Sequence, residues 1–235
     1  MKAGGRALVV TAHPDDVDFG AGGTIAGWVD QGWDVSYCIC TDGDAGGFDP
    51  SVARSEIPGI RRGEQLRAAK RLGVRDVRFL GFPDGALTAS LPLRRDIARV
   101  IREVRPERIL CQSYRRHLGR IRASHPDHLA AGEATLCAVY PDARNPFAFP
   151  ELAAEGLDAH VVAEVWLMAD PEPDRYVDVT AWFGAKLEAL LCHESQLAEI
   201  EDPAEVLSGW MSSTAQAGGM APGALAEAFR VIDTH

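Results

Sequence analysis

Ala7-Leu8-Val9-Val10-Thr11-Ala12-His13-Pro14-Asp15-Asp16 is an apolar run that ends in an imidazole and two carboxylates. Ala7–Thr11 has the composition of a buried strand, which puts the polar residues in the loop at its carboxyl end. Open α/β sheets collect their ligands at that end of the strands, where a strand in the core gives rigid support. His13 and Asp16 are spaced to chelate one cation, while Asp15 lies between them and can be aimed elsewhere. A second stretch of the same kind, Ser124-His125-Pro126-Asp127-His128, lies far downstream. Together the two read as the site of a metal-dependent hydrolase.

Outward from the first motif, runs suited to buried strands recur at Val35–Cys40, Val77–Leu80, Arg108–Cys111 and Val161–Met168. Helical patterns separate most of them: Gly22–Gln31, Ile60–Leu72 ended by Gly73, and a stripe of Ile97, Val100, Ile101 and Val104 stopped before Pro106. The alternation predicts an α/β fold, a mostly parallel sheet covered by helices. Beyond the second motif, His128–Tyr140 reads as a helix and Pro141–Pro146 as a loop. Tyr176–Val179 reads as a short strand and Ala181–Cys192 as an amphipathic helix. The Ala-rich C-terminal region, interrupted by Gly218-Gly219 and Pro222, reads as two helices.

The 235 residues contain no Ser/Pro/Gly-rich linker or repeat, which predicts one domain over residues 1–235. A hydrophobic content of 46% with 25% charged residues suits a globular protein with a sizeable core. The formal net charge of −10 argues against nucleic acid as a partner and favours a neutral or cationic small substrate. No run is long enough to span a bilayer, and Met1–Arg6 leads into the first strand without the apolar stretch of a secretory signal, so a cytoplasmic location without membrane insertion is expected. Cys38, Cys40, Cys111, Cys137 and Cys192 are odd in number and mostly lie in apolar segments, as expected of free thiols in a reducing compartment. Alternation along a strand points Cys38 and Cys40 both inward, as core rather than as a metal pair.

A catalytic zinc site needs three protein ligands and one open position. His13, Asp16 and His128 supply such a set, and imidazole with carboxylate also accepts iron, manganese or cobalt. Asp15 is the candidate general base. Attack on an amide creates an oxyanion and a poor leaving amine, for which His125 is the candidate donor, with Asp127 holding its tautomer. Such an Asp127–His125 pair requires nonhelical backbone around Pro126, because positions i and i+2 do not face each other on a helix.

Blander readings exist for each motif. Ser124 can N-cap a helix with Asp127 at the positive end of its dipole, and Asp15 or Asp16 can cap the helix after the first strand. Gly20-Ala21-Gly22-Gly23-Thr24 opens a helix but lacks the lysine and spacing of phosphate loops, so close backbone packing is expected of it. Thr41–Gly47 follows the second strand, either as a turn or as a substrate contact.

The ordered set of motifs is similar to the PIG-L/LmbE-like family of zinc-dependent N-acetylglucosaminyl deacetylases. It comprises Ala-His-Pro-Asp-Asp at 12–16, Gly-Gly-Thr at 22–24, Thr-Asp-Gly-Asp-Ala-Gly-Gly at 41–47, Arg61 with Glu64, Leu-Gly-Phe-Pro-Asp-Gly at 80–85 and His-Pro-Asp-His at 125–128. The resemblance implies a Rossmann-like fold and the same roles for His13, Asp16, His128, Asp15, His125 and Asp127. It also implies that Arg61 and Asp84 hold the sugar or its appended group, where bland readings would be a solvated helix charge and a turn. Many members have an acid at the position of Val17, which here is displaced to Asp18.

The family acts on N-acetylglucosamine linked to inositols, malate, lipid anchors or antibiotics, and some members form homo-oligomers. The resemblance therefore implies removal of the N-acetyl group from such a small-molecule conjugate, with specificity in the loops 48–56, 114–123 and 141–157. The basic run Arg115-Arg116-His117 with Arg120 and Arg122 is either a receptor for an acidic aglycone or a solvated loop. Two other functions remain open on sequence grounds: an amidase that cleaves a thiol-conjugated pseudodisaccharide, and a noncatalytic sugar- or nucleotide-binding module.

Overall fold

The computed structural model describes residues 4–235. One seven-stranded sheet runs through it in the order β3-β2-β1-β4-β5-β7-β6. In chain order the elements are β1 (Arg6–Thr11), α1 (Asp16–Asp30), β2 (Asp34–Thr41), α2 (Ile57–Arg71), β3 (Asp76–Phe82), α3 (Leu91–Val104), β4 (Arg108–Gln112) and α4 (Pro126–Cys137). The rest are α5 (Pro150–Ala154), β5 (Glu164–Met168), β6 (Arg175–Asp178), α6 (Phe183–Leu190), α7 (Glu194–Leu197), α8 (Pro203–Ala217) and β7 (Ala226–Asp233). Strands β1 to β5 pair in parallel, with Val9 of β1 opposite Tyr37 of β2 on one side and Leu110 of β4 on the other. The α/β class and mostly parallel sheet expected from the sequence are what the chain adopts.

The chain steps from β1 to β2 and β3 in one direction, then returns past β1 to β4 and β5. Order reversal leaves a crevice beyond the carboxyl ends of β1 and β4, because the loops on either side diverge. Both faces of the sheet are covered: α3 and α4 pack on one, α1, α2 and α6 on the other. The predicted stripe of α3 is the one it buries, and Leu93, Ile97 and Ile101 are fully enclosed. Each contributes about 1.5–3 kcal/mol. Cys38 and Cys40 both lie in the core, as strand alternation requires.

Three expectations are corrected. The region after α8 forms β7, an antiparallel strand between β5 and β6, and not a helix. Its partners decide this: Phe229 lies opposite both Met168 of β5 and Arg175 of β6. Helix α1 begins at Asp16 rather than Gly22, directly after the turn at Asp15. Its glycines serve close packing, since a Cβ on Gly23 would stand 2.8 Å from the Val179 side chain. The third concerns Ser124, which does not cap α4: its Oγ accepts from His117 N at 2.7 Å, and His125 is the N-cap. Pro126 causes the shift, because it is favoured at the first helical position and holds the residue before it extended.

Candidate active site

His13 leaves the end of β1 with its backbone N–H donating to Asp16 Oδ2 at 2.6 Å. Its ring Nδ1 lies 3.4 Å from Asp16 Oδ2 and 3.3 Å from His128 Nε2. His128 Nε2 is in turn 3.0 Å from Asp16 Oδ1, so the three residues point donor atoms at one another. Their other ring nitrogens have acceptors: His13 Nε2 faces Asp84 Oδ1 at 3.0 Å and Asp127 Oδ2 at 3.2 Å, and His128 Nδ1 faces Ala123 O at 3.3 Å. Such acceptors fix which nitrogen of each ring is free. Ligand-capable atoms within 4.8 Å of one another also group His13 with His125 and His128, and His13 with Asp84 and Asp127.

The Asp127–His125 pair takes a different form from the one expected. The Asp127 carboxylate turns to His13 and accepts from the backbone N–H groups of Gly85 at 2.7 Å and Leu87 at 3.1 Å. His125 instead accepts at Nδ1 from Asp127 N, at 3.2 Å, in the manner of a capping side chain. That bond leaves the proton of a neutral His125 on Nε2. The three imidazoles nevertheless cluster, with ring centroids 5.0 to 5.5 Å apart.

Asp15 takes the left-handed region, with φ 87°. Arg61 from α2 reaches it: Nη2 donates to Pro14 O at 2.7 Å and to Asp15 Oδ2 at 3.2 Å, while Nη1 lies 3.7 Å from Asp84 Oδ2. Arg61 is buried, contrary to a solvated helix charge. The Thr41–Gly47 loop supports this arrangement from behind, with Gly43 O accepting from Arg61 and Asp44 accepting from Asp84 N at 2.9 Å.

The field in the crevice is negative. Burial opposes a charge on His13, but hydrogen bonds to Asp127, Asp16 and Asp84 outweigh it and raise its pKa to about 12. Burial lifts Asp15 to about 6, against the pull of Arg61. Burial also lowers His125, with His13 and His128 adding to the shift, so its neutral form is favoured.

The residues that sequence reading missed lie beneath this surface. Gln65 of α2 accepts from Asp15 N and donates to Asp18, which also receives His193. Glu64 accepts from Ser195 N and Oγ. Buried Lys186 donates to Phe19 O and Glu227 at 2.6 Å each, and Glu227 accepts from Gly23 N and Thr24 N in α1. In sequence Gln65, Lys186, His193, Ser195 and Glu227 are lone polar residues, whereas Glu64 and Asp18 stood out only through the motifs around Arg61 and Asp16. The basic loop is occupied internally: Arg115 pairs with Asp170 and Glu172, Arg116 donates to Ser124 O, and Arg120 lies 4.6 Å from the Trp210 ring centroid.

Comparison with known proteins fits this layout. The family model described as GlcNAc-PI de-N-acetylase, PIG-L, matches residues 8–139, and the chain belongs to that family. Diacetylchitobiose deacetylase of Thermococcus kodakarensis is 35% identical over 195 residues, covering 83% of this chain and 71% of that protein. A probable N-acetyl-alpha-D-glucosaminyl L-malate deacetylase 2 of Bacillus cereus is 36% identical, covering 83% of this chain and 86% of that one. Among solved structures, N,N'-diacetylchitobiose deacetylase of Pyrococcus horikoshii, complexed with its inhibitor MPG, superposes with a TM-score of 0.89 at 28% identity, over 97% of this chain and 84% of that chain.

Proposed function

We propose that the protein is a zinc-dependent deacetylase that hydrolyses the N-acetyl group of an N-acetylglucosamine conjugate to acetate and free amine. The observation that carries this reading is the convergence of His13 Nδ1, His128 Nε2 and the Asp16 carboxylate, with the far nitrogen of each ring held by an acceptor. Those residues would hold the metal. The fit is chemical as well as geometric, because the field that keeps a proton on His13 favours a divalent cation. Bound there, the ion would act as a Lewis acid and lower the pKa of water from about 15.7 to about 7.

The protein's own groups do the rest. Asp15, lifted to about 6, accepts the proton of the attacking water and hands it to the departing amine nitrogen. His125 donates its Nε2–H to the oxygen that becomes the oxyanion, a role that suits a neutral imidazole. Arg61 keeps Asp15 oriented and, with Asp84, lines the side of the crevice where the sugar hydroxyls would lie. The free cysteines, with Cys38, Cys40 and Cys111 fully buried, support the cytoplasm as the place of work. Among the described residues no helix is long and apolar enough to cross a membrane.

The test is metal analysis together with acetate and amine release from a panel of N-acetylglucosaminides. About one metal ion per chain and stoichiometric release of acetate and amine are expected. Binding of the sugars without metal or turnover would overturn the reading, and release of a larger acyl fragment in place of acetate would redirect it to an amidase.

A further inference from the structure

We propose that Gln65 and His193, acting through Asp18, are positioning residues that lock Asp15 in the backbone conformation from which it works. This rests on Asp15 being the general base of the proposed reaction. Asp15 has φ 87° and ψ −29°, in the left-handed region that is uncommon for any residue with a Cβ, although aspartate enters it more readily than most. Such a residue persists only where its surroundings over-determine it. Here they do so on one side through a chain of buried polar groups.

Asp15 N donates to Gln65 Oε1 at 2.8 Å. A backbone N–H can only donate, so the amide oxygen must face it, and the amide nitrogen is thereby turned toward Asp18. Gln65 Nε2 donates to Asp18 Oδ2 at 2.8 Å, and His193 Nε2 reaches the same oxygen at 2.8 Å. Gln65, Asp18 and His193 are all 0% exposed, so water cannot replace any member of the chain. Reversing the amide would set Nε2 against the Asp15 N–H and Oε1 against the Asp18 carboxylate. The orientation of Gln65 is therefore fixed by Asp18, and that of Asp18 by His193.

The chain holds the start of α1 at two points, the N-cap Asp15 and Asp18 in its first turn, and so clamps the turn between them. None of its members hydrogen-bonds to His13 or His128. Its expected signature is a loss of turnover without loss of metal. The displaced acid at position 18 thus acquires a use: it is the anchor of the base and not part of the ion's coordination.

The experiment measures kcat, KM and metal content for the full-length protein with an N-acetylglucosaminide, in four variants. Gln65→Met keeps the shape and removes both hydrogen bonds; kcat is expected to fall roughly 100-fold, as for a misplacement of about 1 Å. Metal content stays, and KM moves by no more than about twofold. His193→Ala lowers kcat by a smaller factor, and His193→Gln, which restores a donor to Asp18, recovers most of it. In the double variant Gln65→Met with His193→Ala, the second change costs no further kcat, because the route to Asp15 is already cut.

Three results would overturn the proposal: full kcat in Gln65→Met, parallel loss of metal and kcat, or an undiminished effect of His193→Ala in the double variant. If the wild-type protein turns over no N-acetylglucosaminide, the functional reading fails instead. The positioning claim is then decided by the structure of Gln65→Met, where an Asp15 backbone unchanged from φ 87° would refute it.

Discussion

His13-Pro14-Asp15 and His125-Pro126-Asp127 are the same tripeptide put to two uses. The first leaves a strand, so its histidine is delivered by the rigid end of β1 and its aspartate takes a left-handed turn into α1. The second enters a helix, so its proline occupies the first helical position and its histidine caps the end. The two aspartates consequently titrate in opposite directions. Burial lifts Asp15 to about 6, whereas Asp127, though burial opposes it, is lowered by His13 and by the N–H groups of Gly85 and Leu87. Burial thus favours a proton on the first, while the second is held as an anion facing His13. Side-chain chemistry comes from the motif, but the role comes from the element the motif begins or ends.

The widest separation between the motifs is expected at their histidines. His13→Ala and His128→Ala should each empty the metal site and abolish turnover, because each removes a donor atom facing Asp16. His125→Ala should keep its metal. Metal analysis of the three purified variants decides the matter, and retention of the ion by His128→Ala with its loss from His125→Ala would put His125 in the ligand set instead.

The aspartates give the next largest effect and the sharpest contrast. Asp15→Asn should retain metal and lose about 10²- to 10⁴-fold in kcat, the usual worth of a general base. Asp127→Asn removes the charge opposite His13 and leaves one of two backbone donors poorly served. Its metal affinity should drop about 10- to 100-fold, with turnover recovered at high metal concentration. Titration of activity against metal distinguishes the two. Rescue of Asp15→Asn by added metal would erase the functional difference between the motifs.

How far such differences can be read from sequence depends on whether the deciding contact is local. The run Ala7–Thr11 was legible because a strand buried on both faces is a continuous apolar run, and the stripe of α3 because burial of one helix face imposes a period. Strand β7 was not, since the region was read from the alanines and glycines that precede it, and its assignment comes from pairing with β5 and β6. At the site, the residues that the fold brings together, His13, Asp16 and His128, were legible from two compact motifs. The partner of Asp127 was misjudged because the nearest imidazole in sequence is His125. The carboxylate instead reaches a backbone N–H 42 residues away and an imidazole 114 residues away. Gln65, His193 and the Lys186–Glu227 pair were invisible for the same reason, being single polar residues until the fold buries them together.

The smallest effect tests whether His125 really serves two functions at once. As a cap it accepts from Asp127 N, and as a reacting group it is proposed to donate from Nε2. Asparagine can replace the first function but not the second, because its side-chain oxygen accepts at a helix start while no imidazole remains. His125→Ala should therefore lose both activity and stability, the latter by about 1 kcal/mol. In a chain of this size that is a fall in Tm of about 2–4 °C. His125→Asn should regain most of that Tm and none of the activity. Equal melting temperatures for the two variants would mean that the cap contributes nothing, and that the second motif, like the first, is there for its chemistry alone.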